Sequence, residues 1–429
     1  MRFYNINNPS EKVSLKDAVL RSVARVSDLY MPDYIPILPS EFFDKLPEMN
    51  LQEIAFEVSR AMLGQDIIES ALESIIKETL NFEIPLLQLG ENLYVLELSH
   101  GPTLAFKDVG ARFMAGLFEH LLGTETREIT ILVATSGDTG SAVANAFVDK
   151  KGIKVAILFP SGRVSSIQEK QLTTMGRNIT AFEVNGSFDD CQRLVKEAFT
   201  DKNLNSRLNL TSANSINFAR LFPQSFYYFY AMAQLKRNEK PVVFSVPSGN
   251  LGNLTAGLIA KKMGLRISRF IASANSNHAF VDYLATGHFE PQTSLHTITN
   301  AMDVGNPSNF PRILELFDDN YSGIKEIIKG YWFTDEETRK GMNELLTRYI
   351  YQADPHGAVG YLGLKKYLET HDNTGIFLET AHPAKFPAEV EEGTNIRVQI
   401  PDVLKDLLFL ENRSVKLPNS FTCLKDALM

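Results

Sequence analysis

Apolar residues recur at three- and four-residue steps from Ile54 to Leu63 and again from Ile67 to Leu80. That period lines one face of a helix. Ser14-Leu15-Lys16-Asp17 has the form of a capping box, with Asp in place of Glu, and Asn50-Leu51-Gln52-Glu53 has another. Both forms mark helix starts. No strand pair stands out in this stretch, so residues 1–82 read as a helical arm or cap.

From about residue 84 the pattern changes to short β-branched runs alternating with helical stretches. Ile129-Thr130-Ile131-Leu132-Val133-Ala134 and Lys154-Val155-Ala156-Ile157-Leu158-Phe159 are strands by this pattern, and 178–184, 208–212, 241–246, 268–273 and 374–379 are further candidates. Continuous apolar runs separated by helices predict an α/β fold with a parallel sheet covered on both faces. Ligands in such sheets sit beyond the carboxyl ends of the strands. The loops that follow strands are therefore where chemistry is expected.

Composition adds bounds. The chain has 429 residues, room for about two to four domains. Its formal net charge of -8, from 43 Lys+Arg against 51 Asp+Glu, argues against a nucleic-acid binder. A small anionic ligand stays compatible, because its site needs only local positive potential. Two cysteines, Cys191 and Cys423, make neither a disulfide framework nor a zinc motif, and point to a reducing compartment. No apolar signal region opens the chain, and no apolar run approaches the ~18 residues that cross a bilayer. The expected setting is a cytoplasmic enzyme with no metal.

Five loops carry candidate chemistry. Pro247-Ser248-Gly249-Asn250-Leu251-Gly252-Asn253 follows a strand and precedes a helix near Leu254. Its glycines let backbone N–H groups converge at a helix N-terminus, which suits a phosphate. It has neither the Gly-Lys-Ser/Thr of a Walker loop nor a G-x-G-x-x-G. Thr135-Ser136-Gly137-Asp138-Thr139-Gly140 is placed in the same way and suits a carboxylate or phosphate, or simply caps its helix. In Ser99-His100-Gly101-Pro102-Thr103-Leu104-Ala105-Phe106-Lys107-Asp108, desolvation of Lys107 would favour a nucleophilic amine. The plain alternative is a surface lysine beside Asp108. Thr380, in Glu379-Thr380-Ala381-His382-Pro383-Ala384-Lys385-Phe386, ends a strand and can offer a hydroxyl to a ring nitrogen; otherwise it caps, His382 fills a turn and Lys385 is a solvated charge. Thr211-Ser212-Ala213-Asn214-Ser215-Ile216-Asn217-Phe218-Ala219-Arg220 gathers amides, hydroxyls and an arginine able to hold a phosphate. The aromatic stretch 225–233 beyond it reads as core or dimer interface. A lysine, a phosphate cradle and a ring-nitrogen partner together are what pyridoxal phosphate requires.

These motifs, with Asn300-Ala301-Met302-Asp303-Val304-Gly305-Asn306-Pro307-Ser308-Asn309 between them, resemble threonine synthases, in the family's order from residue 100 to residue 386. Tyr4-Asn5 and Leu29-Tyr30-Met31-Pro32 are similar to that family's N-terminal arm, and the longer branch of enteric bacteria and fungi is the most similar. The chain departs from relatives at Leu251, often Phe, at Asn253, sometimes Asp, and at Asp28, commonly Gly.

The resemblance implies a tryptophan-synthase-β-like, fold-type II architecture. It has an arm at 1–82 and a body at 83–429, with a smaller lobe at about 104–225 and a larger lobe at about 226–429 plus 83–103. It implies pyridoxal 5'-phosphate as cofactor, carried by Lys107 through a Schiff base. Ser248, Gly249, Asn250, Leu251 and Gly252 would bind the cofactor phosphate, Thr380 the pyridine nitrogen, and Asp138 would lie near the cofactor's O3′. Thr135, Ser136, Gly137, Asp138 and Thr139 would receive the substrate carboxylate, and Asn214, Ser215 and Arg220 its phosphate. The implied reaction turns O-phospho-L-homoserine and water into L-threonine and phosphate, in a monomer or homodimer. A related activity such as threonine dehydratase, or a non-catalytic phospho-ligand binder, is the alternative.

Overall fold

The computed structural model describes residues 1–21, 29–123, 128–235 and 239–429. Asp28 lies outside them. The chain opens with β1 (Arg2–Asn5) and β2 (Asn8–Ser14), an antiparallel hairpin with a bulge at Tyr4 and Asn5, and β3 (Tyr30–Pro32) pairs with the other edge of β1. The arm is thus not purely helical. β2 is polar and largely exposed, so alternation gives little sign of it. The expected helices follow: Asn50 caps Leu51–Leu63 with a complete capping box, and Glu69–Thr79 comes next. Ser14 accepts from Asp17 N and caps the short helix Leu15–Leu20.

The body holds two sheets. In chain order the strands are β4 (Leu86–Gly90), β5 (Leu93–Glu97), β6 (Ile129–Ala134), β7 (Ile153–Pro160), β8 (Ile179–Asn185) and β9 (Leu210–Thr211). Then come β10 (Val242–Pro247), β11 (Arg269–Ala274), β12 (Ile328–Trp332), β13 (Thr374–Glu379) and β14 (Val415–Pro418). The larger sheet has the order β12-β11-β10-β13-β5-β4, parallel except for β4. The smaller, β14-β8-β7-β6-β9, is parallel throughout. Every residue of β6, β10 and β13 is buried, as strands covered on both faces require.

Two features differ from expectation. The expected division put the whole C-terminal tail in the larger lobe, yet β14 joins the smaller sheet and Leu417 and Leu424 pack with Leu194 and Leu204 there. β14 is a short exposed edge with one buried residue, which leaves no apolar run to read. The candidate strand 208–212 shrinks to two residues because the helix Lys202–Leu208 runs up to it and Asn209 turns left-handed. The aromatic helix Phe226–Leu235 is core: Phe226, Tyr227, Tyr228 and Phe229 are fully buried.

Candidate active site

The residues after β6, β9, β10 and β13 line one cleft, at the carboxyl ends of strands from both sheets. Lys107 enters it from the first position of the helix Lys107–Leu122. The loop before that helix is held to the loop after β13: Phe106 N donates to Thr380 O at 2.9 Å, His382 N donates to Leu104 O at 3.0 Å, and Ala105 bridges Ala381. Lys107 and Thr380, far apart in sequence, are thereby fixed in one wall.

Lys107 is not the surface lysine of the plain alternative. Its side chain is 14% exposed, and Asp108 does not pair with it. Asp108 is fully buried and accepts from Thr103 N at 2.9 Å and from Thr103 Oγ1 at 2.6 Å. Gly101 makes room for this, since a Cβ there would lie 2.4 Å from Asp108 Oδ2. Burial pushes the Lys107 pKa down, opposed by Asp138 and assisted by Arg220 and Lys385. A larger share of neutral amine follows.

The loop after β10 is built from backbone. Leu251 adopts the left-handed conformation (φ 59°) and Gly252 starts the helix Gly252–Lys262. A Cβ on Gly249 would meet Met302 Cα at 2.9 Å and Ala301 O at 3.0 Å, and one on Gly252 would meet Ser215 at 3.1 Å. Gly249, Asn250, Leu251 and Gly252 all face the cleft. Ser248 does not: its N–H donates to Ser273 O and its hydroxyl to Val246 O, each at 2.8 Å. The Asn250 side chain turns to Ser308, whose N and Oγ both donate to Asn250 Oδ1 at 3.1 Å.

The loop after β6 is built from side chains. Thr135 Oγ1 accepts from Gly137 N at 3.0 Å and Gly140 N at 2.8 Å, which shapes the turn. Ser136, Asp138 and Thr139 line the cleft with Thr135, whereas Gly137 packs against Gln168 and does not. Asp138 is buried. Burial alone would raise its pKa, but Lys385 first and Lys107 second hold the carboxyl below the ordinary range.

Asn214, Ser215 and Arg220 stand beside these loops. Ser215 Oγ accepts from Asn309 Nδ2 at 2.9 Å. Arg220 is buried and gives one N–H to Ala213 O at 2.5 Å, while its Nε has no hydrogen-bond partner among the described residues. Burial brings its pKa down to about 10, so it stays charged near neutral pH. An incompletely paired guanidinium beside a glycine-built helix start favours anions. Buried amine, backbone cradle and Thr380 together fit pyridoxal phosphate: the amine can bond its aldehyde carbon, and the cradle is closed to a Cβ but open to phosphate oxygens.

Three participants escape sequence reasoning. Lys385, expected to be solvated, is fully buried and lies 2.8 Å from Asp138. Gln168 donates to Asp138 at 2.9 Å and accepts from Asn300 Nδ2 at 3.1 Å, yet in sequence it reads only as the end of the Ser165 capping box. His356 lines the cleft, accepts from Ala301 N at 3.2 Å and is held by Asp354 at 2.6 Å. Lys385 alone lies in a loop that follows a strand; Gln168 and His356 sit in the first turns of the helices Ser166–Thr173 and Pro355–Leu368. His382 does fill a turn, accepting from Ala384 N at 3.0 Å.

Family comparisons agree with this geometry. Residues 74–378 match the model described as "Pyridoxal-phosphate dependent enzyme", residues 2–80 match "Threonine synthase N terminus", and residues 357–427 match "Threonine synthase, C-terminal". The threonine synthase of Haemophilus influenzae is 44% identical over all of both chains. The solved threonine synthase of Escherichia coli superposes with a TM-score of 0.95 at 40% identity, covering 100% of this chain and 99% of that one. A pyridoxal-phosphate-bound threonine synthase from Brucella melitensis superposes at 0.91 with 33% identity, covering 100% and 98%. The fold is that of the fold-type II pyridoxal-phosphate enzymes, and the chain belongs to the threonine synthase family.

Proposed function

We propose that this chain converts O-phospho-L-homoserine and water into L-threonine and phosphate. In that reaction the Cγ–oxygen bond breaks and phosphate leaves, Cβ loses a proton while Cγ gains one, the oxygen of water adds at Cβ, and the proton that water releases goes with the phosphate. The observation that carries the reading is that a buried amine, a backbone phosphate cradle and a second anion-binding set share one cleft, in a member of this family. Pyridoxal phosphate, when bound, supplies an electron sink for proton removal next to the amino group.

The residues divide the remaining work. Lys107 would hold the cofactor, and its amine, when free and neutral, moves the proton at Cα. Backbone N–H groups of Gly249, Asn250, Leu251 and Gly252 hold the cofactor phosphate. The Thr380 hydroxyl would face the pyridine nitrogen, and as a neutral partner it would leave that nitrogen largely unprotonated. Ser136 and Thr139, at the start of the helix Asp138–Phe147, receive the substrate carboxylate, while Thr135 and Gly137 shape that loop from behind. Asp138 would lie near the cofactor hydroxyl. Arg220, with Asn214 and Ser215, holds the substrate phosphate and draws charge from it as it leaves.

The setting follows the same reading: a small-molecule enzyme of the cytoplasm, monomer or homodimer. Cys191 is buried and Cys423 partly buried, both free, and no helix among the described residues is long and apolar enough to cross a membrane. The deciding experiment measures phosphate release from O-phosphohomoserine and identifies the amino acid formed. Threonine in equal amount to phosphate is expected. Phosphate without threonine, or faster turnover of serine or threonine than of phosphohomoserine, would overturn the reading in favour of elimination or dehydratase chemistry.

A further inference from the structure

Lys385 is a second buried lysine beside the cleft. It lies in the turn Pro383–Lys385, on the loop that carries Thr380. Its Nζ sits 2.8 Å from Asp138 Oδ1 and donates to Thr103 O at 2.9 Å. Gln168 Nε2 donates to the same Oδ1 at 2.9 Å. The other carboxylate oxygen, Oδ2, lies 3.6 Å from Lys107 Nζ, beyond ordinary hydrogen-bond length. One carboxylate faces two lysines and is bound tightly to the one that does not react.

That arrangement resolves a conflict. A buried carboxylate left alone with Lys107 would favour the ammonium form, which has no lone pair with which to attack carbon or accept a proton. The other charged or titratable groups near Lys107 do not reverse this. Arg220 is positive, Asp108 on the same helix is turned to Thr103, and His356 is engaged with Asp354 and Ala301 N.

We propose that Lys385 is a positioning residue that keeps Asp138 for itself and so leaves the Lys107 amine neutral and reactive. It touches no reacting atom and acts through the carboxylate and through its own charge. The direction of the Lys107 shift agrees: burial pushes it down, Asp138 pushes it up, and Arg220 and Lys385 push it down again. The proposal rests on Lys107 being the reacting amine. The competing account is a purely structural one, because Lys385 also ties the loop before Lys107 to the turn after Thr380.

The test reads the Lys107 amine itself. Full-length protein freed of pyridoxal phosphate is labelled with acetic anhydride across a pH series, and the modified Lys107 peptide is quantified by mass spectrometry. Lys385→Met should raise the apparent Lys107 pKa by about one unit or more, and Asp138→Asn/Lys385→Met should return it to within about 0.3 unit of the parent. An unchanged pKa in folded Lys385→Met would overturn the proposal and leave Lys385 a cross-link. Should Lys385→Met fail to fold, Asp138→Asn is compared with the double variant. The Lys107 pKa should be lower in Asp138→Asn, where Lys385 faces it without a carboxylate between them, and equal values would overturn the proposal. Retention of the cofactor by Lys107→Ala would instead remove the assignment of Lys107, without altering these pKa differences.

Discussion

The two loops that meet across the cleft are made in different ways. The loop after β10 is a backbone device: two glycines whose Cβ atoms would collide with neighbours, a left-handed Leu251 and a helix start. Its side chains point elsewhere, Asn250 to Ser308 and Ser248 to Val246. The loop after β6 is a side-chain device. Asp138 is held by Lys385 and Gln168 and faces Lys107, and the three come from distant parts of the chain. A backbone device tolerates changes of side chain and fails when atoms are added. A side-chain device depends on every charge arriving in place.

Lys107 stands between the two devices, and neither replaces it. Lys107→Ala should lower turnover by about 10^3-fold or more, since proton transfer and covalent attachment are lost together. It should also abolish the visible absorbance of lysine-bound cofactor. Steady-state phosphate release and an absorption spectrum check both.

The next largest effect belongs to the side-chain walls. Arg220→Lys keeps a charge but loses the planar fork, so kcat/KM for phosphohomoserine should fall by about 10- to 100-fold. Turnover of serine, which has no phosphate, should change far less. A uniform loss on both substrates would show that Arg220 supports the fold and does not read the phosphate. Gly249→Ala tests the backbone device. Its Cβ would lie 2.9 Å from Met302 Cα, and overpacking of this kind costs about 1–3 kcal/mol. Cofactor affinity, read by absorbance titration, should fall by roughly 5- to 150-fold on that cost, with little dependence on which amino acid is offered.

The difference also explains what the sequence disclosed. Gly249, Leu251 and Gly252 fall within four consecutive residues and follow a fully buried strand, so strand, turn and helix start can be read from a dozen residues. β6, β7, β10, β11 and β13 were legible for the same reason, being apolar on both faces. β2 and β14 are not: β2 is polar and largely exposed, and β14 is four residues with one buried, held by β8 far away in sequence. Lys385 illustrates the limit. A lysine after Pro383 looks solvated until the fold brings Asp138 and Thr103 to it, and nothing within its own segment marks it as buried. Asp138 itself stands out in the sequence as a contact of cofactor and substrate, but the counter-ion that fixes it does not.

The smallest effect sharpens the contrast most. Ser248 lies inside the glycine loop and would be counted among the phosphate ligands by position. A phosphate accepts hydrogen bonds only, so a ligand must offer a proton. Ser248 has two, and both are committed: N–H to Ser273 O and O–H to Val246 O, each at 2.8 Å. Ser248→Ala removes only the second, a loss of about 1 kcal/mol in stability. Cofactor affinity should therefore stay within about threefold of the parent, the range expected when no charge-assisted bond is lost, while the thermal midpoint falls slightly. A tenfold loss of affinity measured by the same titration would mean that the hydroxyl turns to the phosphate on binding, and the cradle would no longer be a device of backbone alone.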